Sequence, residues 1–214
     1  TARTPPGTPP EDVLERRTLL ELIVRHLERQ IDARDELAIA QRDRAALAAK
    51  VKTWPGLGPG PHSLSIADGL REAAQTAAER VKAAAAKLAL LKAEGDAFGQ
   101  RLKDADAKLR LAEERAAVTA DPAEAARRAW ARDLAALRVR ALGVVLAGLD
   151  GRVAVAREEL AEHREALEFA QAQVREASKD IVFTRADFDR VVADLDKAQR
   201  ALESELADVQ ARAS

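Results

Sequence analysis

The sequence predicts an all-α chain, an elongated antiparallel coiled coil or helical bundle of three to four long helices, on three observations. Apolar residues recur at alternating three- and four-residue steps over long stretches, alanine stands in for large side chains, and helix-breaking residues cluster at few points. Apolar residues make up 47% and charged residues 33%, but aromatic residues only 3%, too few for an ordinary globular core of 214 residues. Alanine has the best helix propensity and takes little room, so seams rich in it suit helices lying close along their lengths.

Thr1 to Pro10 hold four prolines and a glycine and read as a disordered lead (1–10). A single elongated helical domain (11–214) is expected after it. In the first helix, about 11–52, Val13, Leu20, Val24, Leu27, Ile31, Ala38, Ala45 and Ala48 keep the three-and-four spacing, broken by Arg17, Arg34 and Gln41. Leu19, Ile23, Leu37, Leu47 and Val51 widen that stripe, which suggests contact with more than one neighbour. The loop 53–63, with Trp54-Pro55-Gly56-Leu57-Gly58-Pro59-Gly60-Pro61, cannot continue a helix. Ser63 or Ser65 can then cap the second helix.

The second helix, about 64–118, carries an unbroken row: Ala67, Leu70, Ala74, Ala77, Val81, Ala84, Leu88, Leu91, Gly95, Phe98, Leu102, Ala105, Leu109, Ala112, Ala116. A strict seven-residue repeat keeps one seam facing one partner. The helix should end near Thr119, because Asp121-Pro122-Ala123-Glu124 is a helix start, with a capping acceptor, proline at the first helical position and glutamate at N3. So short a link folds the third helix, about 122–180, back antiparallel, which places Phe98 near Leu142. The third helix has one seam from Ala135 through Leu142, Leu149, Ala156, Leu160 and His163 to Ala177, and a second through Trp130, Leu134, Leu137, Ala141, Val144 and Gly148. Two seams predict burial on two sides there. An antiparallel reversal at the Trp54–Pro61 loop would bring Leu19–Leu27 beside Leu91 and Leu146. Heptad phase runs on past Asp180, but Thr184-Arg185-Ala186-Asp187 is a capping box flanked by Phe183 and Phe188, so a fourth helix is expected over about 185–212.

The 35 basic and 36 acidic side chains leave a formal charge of -1, so no global field draws in nucleic acid or anionic lipid. No cysteine is present, which excludes disulfides, thiol catalysis and thiolate metal sites. The longest apolar run, Ala141 to Leu149, falls far short of the ~20 residues that span a bilayer. A chain without methionine that ends in a helical pattern at Ala211-Arg212-Ala213-Ser214 reads as a piece of a longer one.

No catalytic, cofactor-binding or metal residue stands out, and the chain reads as no enzyme with no cofactor. A four-helix carboxylate metal site needs Glu-x-x-His pairs, but Ile23 and Leu160 stand three before His26 and His163. No Gly-x-Ser-x-Gly appears, so Ser63, Ser65, Ser178 and Ser204 read as caps or exposed positions. Glu158 and Glu159 read as solvated surface on an arginine-rich face. His163 sits in an apolar seam, where it fixes pairing or leans to solvent. Gly95 and Gly99 permit close helix approach or weaken the helix locally. Arg127, Arg128, Arg132, Arg138 and Arg140 surround Trp130, but one ring on a helical stripe is no stacking platform for bases, so no nucleic-acid partner is expected.

The stretch Arg17-Thr18-Leu19-Leu20-Glu21-Leu22-Ile23-Val24-Arg25-His26-Leu27-Glu28-Arg29-Gln30-Ile31-Asp32 resembles the start of the extramembrane helical region that precedes the membrane part of large MscS-type mechanosensitive channels. His62-Ser63-Leu64-Ser65-Ile66-Ala67-Asp68-Gly69-Leu70-Arg71 and Phe183-Thr184-Arg185-Ala186-Asp187-Phe188-Asp189-Arg190-Val191 are similar to it too. The resemblance implies a module on the periplasmic side of the bacterial inner membrane, belonging to a channel that opens under tension in osmotic downshock. It further implies self-association through the parent membrane protein and contact with the cell envelope, with no pore residue in this stretch. The alternative is a helical-hairpin adaptor or scaffold of an export or envelope complex. Several apolar spans after Ser214 would favour the channel, and a β-rich lipoyl-like domain around the hairpin would favour the adaptor.

Overall fold

The computed structural model describes residues 4–118 and 121–213, and it is all-α apart from one minimal strand pair. In chain order it has α1 (Pro10–Lys52), β1 (His62–Ser63), α2 (Leu64–Ala116), α3 (Pro122–Ala177), β2 (Ile181–Val182) and α4 (Arg185–Ala213). Thr119, near which the second helix was expected to end, lies outside the described residues, as do Thr1 to Arg3 of the proline-rich lead and Ser214. Thr8 closes a turn onto the Pro5 carbonyl with both its N–H and its hydroxyl, and α1 starts at Pro10, where the missing N–H costs nothing. Contacts divide the chain into two compact units, Thr1–Ala48 with Val81–His163, and Ala49–Arg80 with Arg164–Ser214.

In the first unit, Ala84, Leu88 and Leu91 of α2 cluster with Val145, Leu149, Ala156 and Leu160 of α3, and Phe98 and Leu22 pack against them. Lys87 pairs with Glu159 at 2.6 Å, and one heptad further along α2 and one heptad back along α3, Glu94 meets Arg152 at 4.0 Å. The two helix segments therefore run antiparallel. Every residue of the long α2 row is buried or half-buried, and most of the positions between are exposed. Both seams of α3 are covered as well, with Trp130, Leu134 and Ala141 buried on one and Leu149, Ala156 and Leu160 on the other. Val145, which belongs to neither row, lies between them and is only 4% exposed.

α1 packs through only part of its wide apolar stripe. Glu15, Gln30 and Arg44 reach Arg138, the Val144 carbonyl and Glu158, so α1 runs parallel to α3 in this unit. The heavier row points outward: Leu20, Val24, Leu27 and Ile31 are 44–61% exposed. The row that packs is displaced by one residue, through Leu19, Ile23, His26, Ala33, Leu37 and Ala40. The reason is steric, because α3 meets α1 with Gly148 and Gly151. A Cβ on Gly151 would sit 3.2 Å from the Ala33 Cβ, and one on Gly148 would sit 3.7 Å from His26 Nδ1. Small residues on both helices bring the backbones close, and the bulky row cannot enter so narrow a space. The bare Gly148 also leaves the Val144 carbonyl, one turn earlier, open to the Gln30 amide at 2.8 Å.

In the second unit the loop after α1 folds against the end of α3. Trp54 meets Phe169 edge-on at 5.2 Å, and the Leu57 N–H donates to Glu176 at 3.2 Å. Gly56 makes the turn with φ +88°, and a Cβ there would lie 2.7 Å from the Glu176 carboxylate. Gly56→Ala is therefore expected to lower the stability of this unit by about 1–2 kcal/mol, from the left-handed backbone alone, read as a shift in chemical denaturation. β1 then pairs parallel with β2, His62 against Ile181 and Ser63 against Val182, and the His62 N–H reaches the Asp180 carbonyl at 2.8 Å. Strands of two residues are too short for alternation to show in a sequence.

Candidate functional site

Several of the polar residues singled out in the sequence hold helix ends or helix contacts. Ser63 is the N-cap of α2, accepting the Ile66 N–H at 3.3 Å, and Ser65 Oγ accepts a bond from Arg190. His26 lies on α1 against Gly148, His62 is buried in β1, and His163 is half-buried on α3. Among the described residues no three His, Cys, Asp or Glu gather as a metal could use them. Burial, aided by the charges of Arg29, Arg25 and Arg152, lowers the pKa of His26 and favours the neutral ring.

The basic concentration around Trp130 is largely spent inside the fold. Arg138 forms a two-pronged pair with Glu15, Arg128 bonds Glu124 and the Arg115 carbonyl, and Arg132 pairs with Asp133 at 2.7 Å. Hydrogen bonding from Arg138 holds the Glu15 carboxyl below its usual range, against burial, and Glu15 raises the pKa of Arg138 in return. Trp130 is 7% exposed, with Arg16 stacked over its ring at 5.0 Å. Glu158 and Glu159 depart from the solvated-surface reading. These neighbours on α3 reach to opposite sides, Glu158 to Arg44 of α1 at 3.0 Å and Glu159 to Lys87 of α2 at 2.6 Å.

One polar centre was only half visible in the sequence. Thr184 and Asp187 form the expected capping box at the start of α4: the Asp187 N–H donates to the Thr184 hydroxyl at 3.2 Å, and the Thr184 N–H donates to Asp187 at 2.7 Å. Asp187 also accepts the Ser65 N–H at 3.0 Å, an orphan donor in the first turn of α2. One carboxylate, 4% exposed, thus serves two helix starts. The Thr184 hydroxyl, then its N–H, hold the Asp187 pKa down, with burial opposing and the Ser65 and Leu64 N–H groups adding to the effect. A carboxyl with a depressed folded pKa stabilises above its unfolded value of about 3.9 and loses that contribution as pH falls through the folded one. Asp187→Asn should therefore flatten the acid limb of this unit's pH–stability profile and speed amide exchange at Ser65 and Thr184 together.

Two surfaces remain that the fold itself leaves open. One is the outward row of α1. The other is α4, where every described side chain from Phe188 through Gln210 is exposed, including Leu195, Leu202, Leu206 and Val209 at 60–66%. Phe183 and Phe188, expected to flank the start of α4, are 57% and 47% exposed, and Arg185 lies over the Phe188 ring. A trough of about 580 Å³ also follows α2 beside Leu91, Leu146 and Leu149, where a Cβ on Gly95 or Gly99 would meet nothing within 4 Å. These glycines open space in this chain and bring no helix close.

The class that fold and surfaces define is an all-α protein with apolar helix faces turned outward. No protein-family model, curated protein or solved structure matches the chain. No helix among the described residues is long and apolar enough to cross a membrane.

Proposed function

We propose that this chain is a non-catalytic, elongated coiled-coil module on the periplasmic side of an MscS-type mechanosensitive channel, a spacer or assembly element that modulates gating in osmotic downshock. The resemblance of the α1 stretch Arg17–Asp32, the start of α2 and the start of α4 to that helical region suggests the parent protein. The observation that carries the assembly role is the outward row Leu20, Val24, Leu27 and Ile31, an apolar heptad stripe that stays 44–61% exposed among the described residues. Contiguous exposed apolar surface of this kind marks an interaction site. The antiparallel α2–α3 pairing in the first unit is the local geometry a coiled-coil spacer uses.

The reading is tested in a channel that contains this segment. Replacing Leu20 and Leu27 by Asp, and separately removing the segment, should shift the opening tension in patch recordings or the assembly state of the purified channel. If threshold and assembly both stay unchanged, the reading is wrong. Capture of the segment by the components of an export complex, with no effect on any channel, would transfer it to the adaptor class.

A further inference from the structure

We propose that α4 is a self-association helix through which two copies of this chain pair in parallel and in register. The proposal stands on the helix's own exposure and side-chain pattern and does not depend on the channel reading. From Phe188 through Gln210 every residue of α4 is exposed, although the helix carries a strict stripe: Phe188, Val192, Leu195, Gln199, Leu202, Leu206, Val209. The steps alternate four and three throughout, which is the spacing of a two-stranded seam with Val192, Gln199 and Leu206 at a and Phe188, Leu195, Leu202 and Val209 at d. Such a seam gains its stability from a partner helix, because isolated helical stability in water is marginal.

Charge and hydrogen bonding select the partner. The e positions beside the seam hold Asp189, Asp196 and Glu203, and the g positions hold Val191, Ala198 and Glu205. An antiparallel pair would set the e row of one copy against the e row of the other, acid against acid. A parallel pair sets each e row against g′, so that Asp196 faces Val191 and Glu203 faces Ala198 of the second copy. Gln199 makes the same choice. In a parallel pair in register it meets the Gln199 of the other copy, and an amide both donates and accepts. In an antiparallel pair it would lie against leucine, with its amide unsatisfied. In the single chain Gln199 bonds Glu203 at 2.8 Å on the exposed side, so its amide is free to turn inward only at the expense of that surface contact.

The chain has no cysteine, so single introduced thiols report contacts cleanly. Val192→Cys and Leu206→Cys, made separately in the full chain, should each give covalent dimers under mild oxidation, because facing a positions come within disulfide range. Leu202→Asp should weaken the dimer about a hundredfold or more in sedimentation analysis, since each copy loses a buried leucine, while the thermal transition of the first unit stays in place. A wild-type chain that remains monomeric overturns the proposal. So do cross-links that form only when Val192→Cys is mixed with Val209→Cys, the a-against-d contact of an antiparallel pair, or a dimer that survives Leu202→Asp.

Discussion

Leu160→Ala is expected to be the most damaging leucine truncation in the α2–α3 cluster, at about 3–5 kcal/mol, the upper part of the range for buried leucine. Leu160 is 6% exposed in the cluster shared by α2 and α3, which also contains Ala84 and Ala156 with Ala85 packed against it. The spread of measured costs reflects how far surroundings collapse into the void, and alanines have no rotamers with which to move in. Leu149→Ala, in the same cluster, should cost less, about 2–3 kcal/mol, because Leu149 lines the trough beside Gly95 and Gly99, which water can enter. Chemical denaturation of the two variants ranks them. A larger loss for Leu149 would mean that the trough is closed in solution.

Trp130 is the second large effect, and here the comparison of two replacements carries the information. Trp130→Ala should cost about 3–5 kcal/mol, as for other buried aromatic truncations. Trp130→Phe should cost far less, within about 1.5 kcal/mol, since burying an N–H without a partner is itself unfavourable by about 1–3 kcal/mol and the phenyl ring removes that burden. The indole N–H of Trp130 is buried with no hydrogen-bond partner, while Arg16 still finds an aromatic face to stack on. Thermal unfolding followed by circular dichroism distinguishes the two. If Trp130→Phe were as harmful as Trp130→Ala, the indole N–H would have to be bonded in solution.

These residues also show which parts of the fold the sequence discloses. The α2 row was legible because it is one-sided: a strict repeat with charged residues between leaves a single face to bury. The start of α3 at Pro122 and the restart at Arg185 were legible from local chemistry, and the Ala123 N–H does donate to Asp121, at 3.1 Å. α1 misled because it carries two interleaved heptad rows about 100° apart. Hydropathy weights the row with Leu20, Val24 and Ile31, whereas packing against Gly148 and Gly151 favours the row with Ala33 and Ala40. Size complementarity with another helix is not written in α1 itself. The same limit applies to Asp187. Its bond to Thr184 is local and could be read, but the bond to Ser65 joins positions 122 residues apart. Glu158 and Glu159 looked like surface for a related reason, since nothing in a run of charges says which neighbour each will face. Of the groups that drew attention, Ser63 caps α2, His26 lies against Gly148, and Arg128, Arg132 and Arg138 are ion-paired.

Glu158 and Glu159 have a bearing on the azimuth of α3. Consecutive residues on a helix stand 100° apart, so a carboxylate pair that reaches both neighbours tolerates only one angular setting of the shaft between them. Turning α3 toward α1 would draw Glu159 away from Lys87, and turning it toward α2 would strain Arg44. Each contact alone is worth no more than about 1 kcal/mol at this exposure. Jointly they work as a detent, adding to the packed seams a defined angular rest position for the middle helix of the first unit.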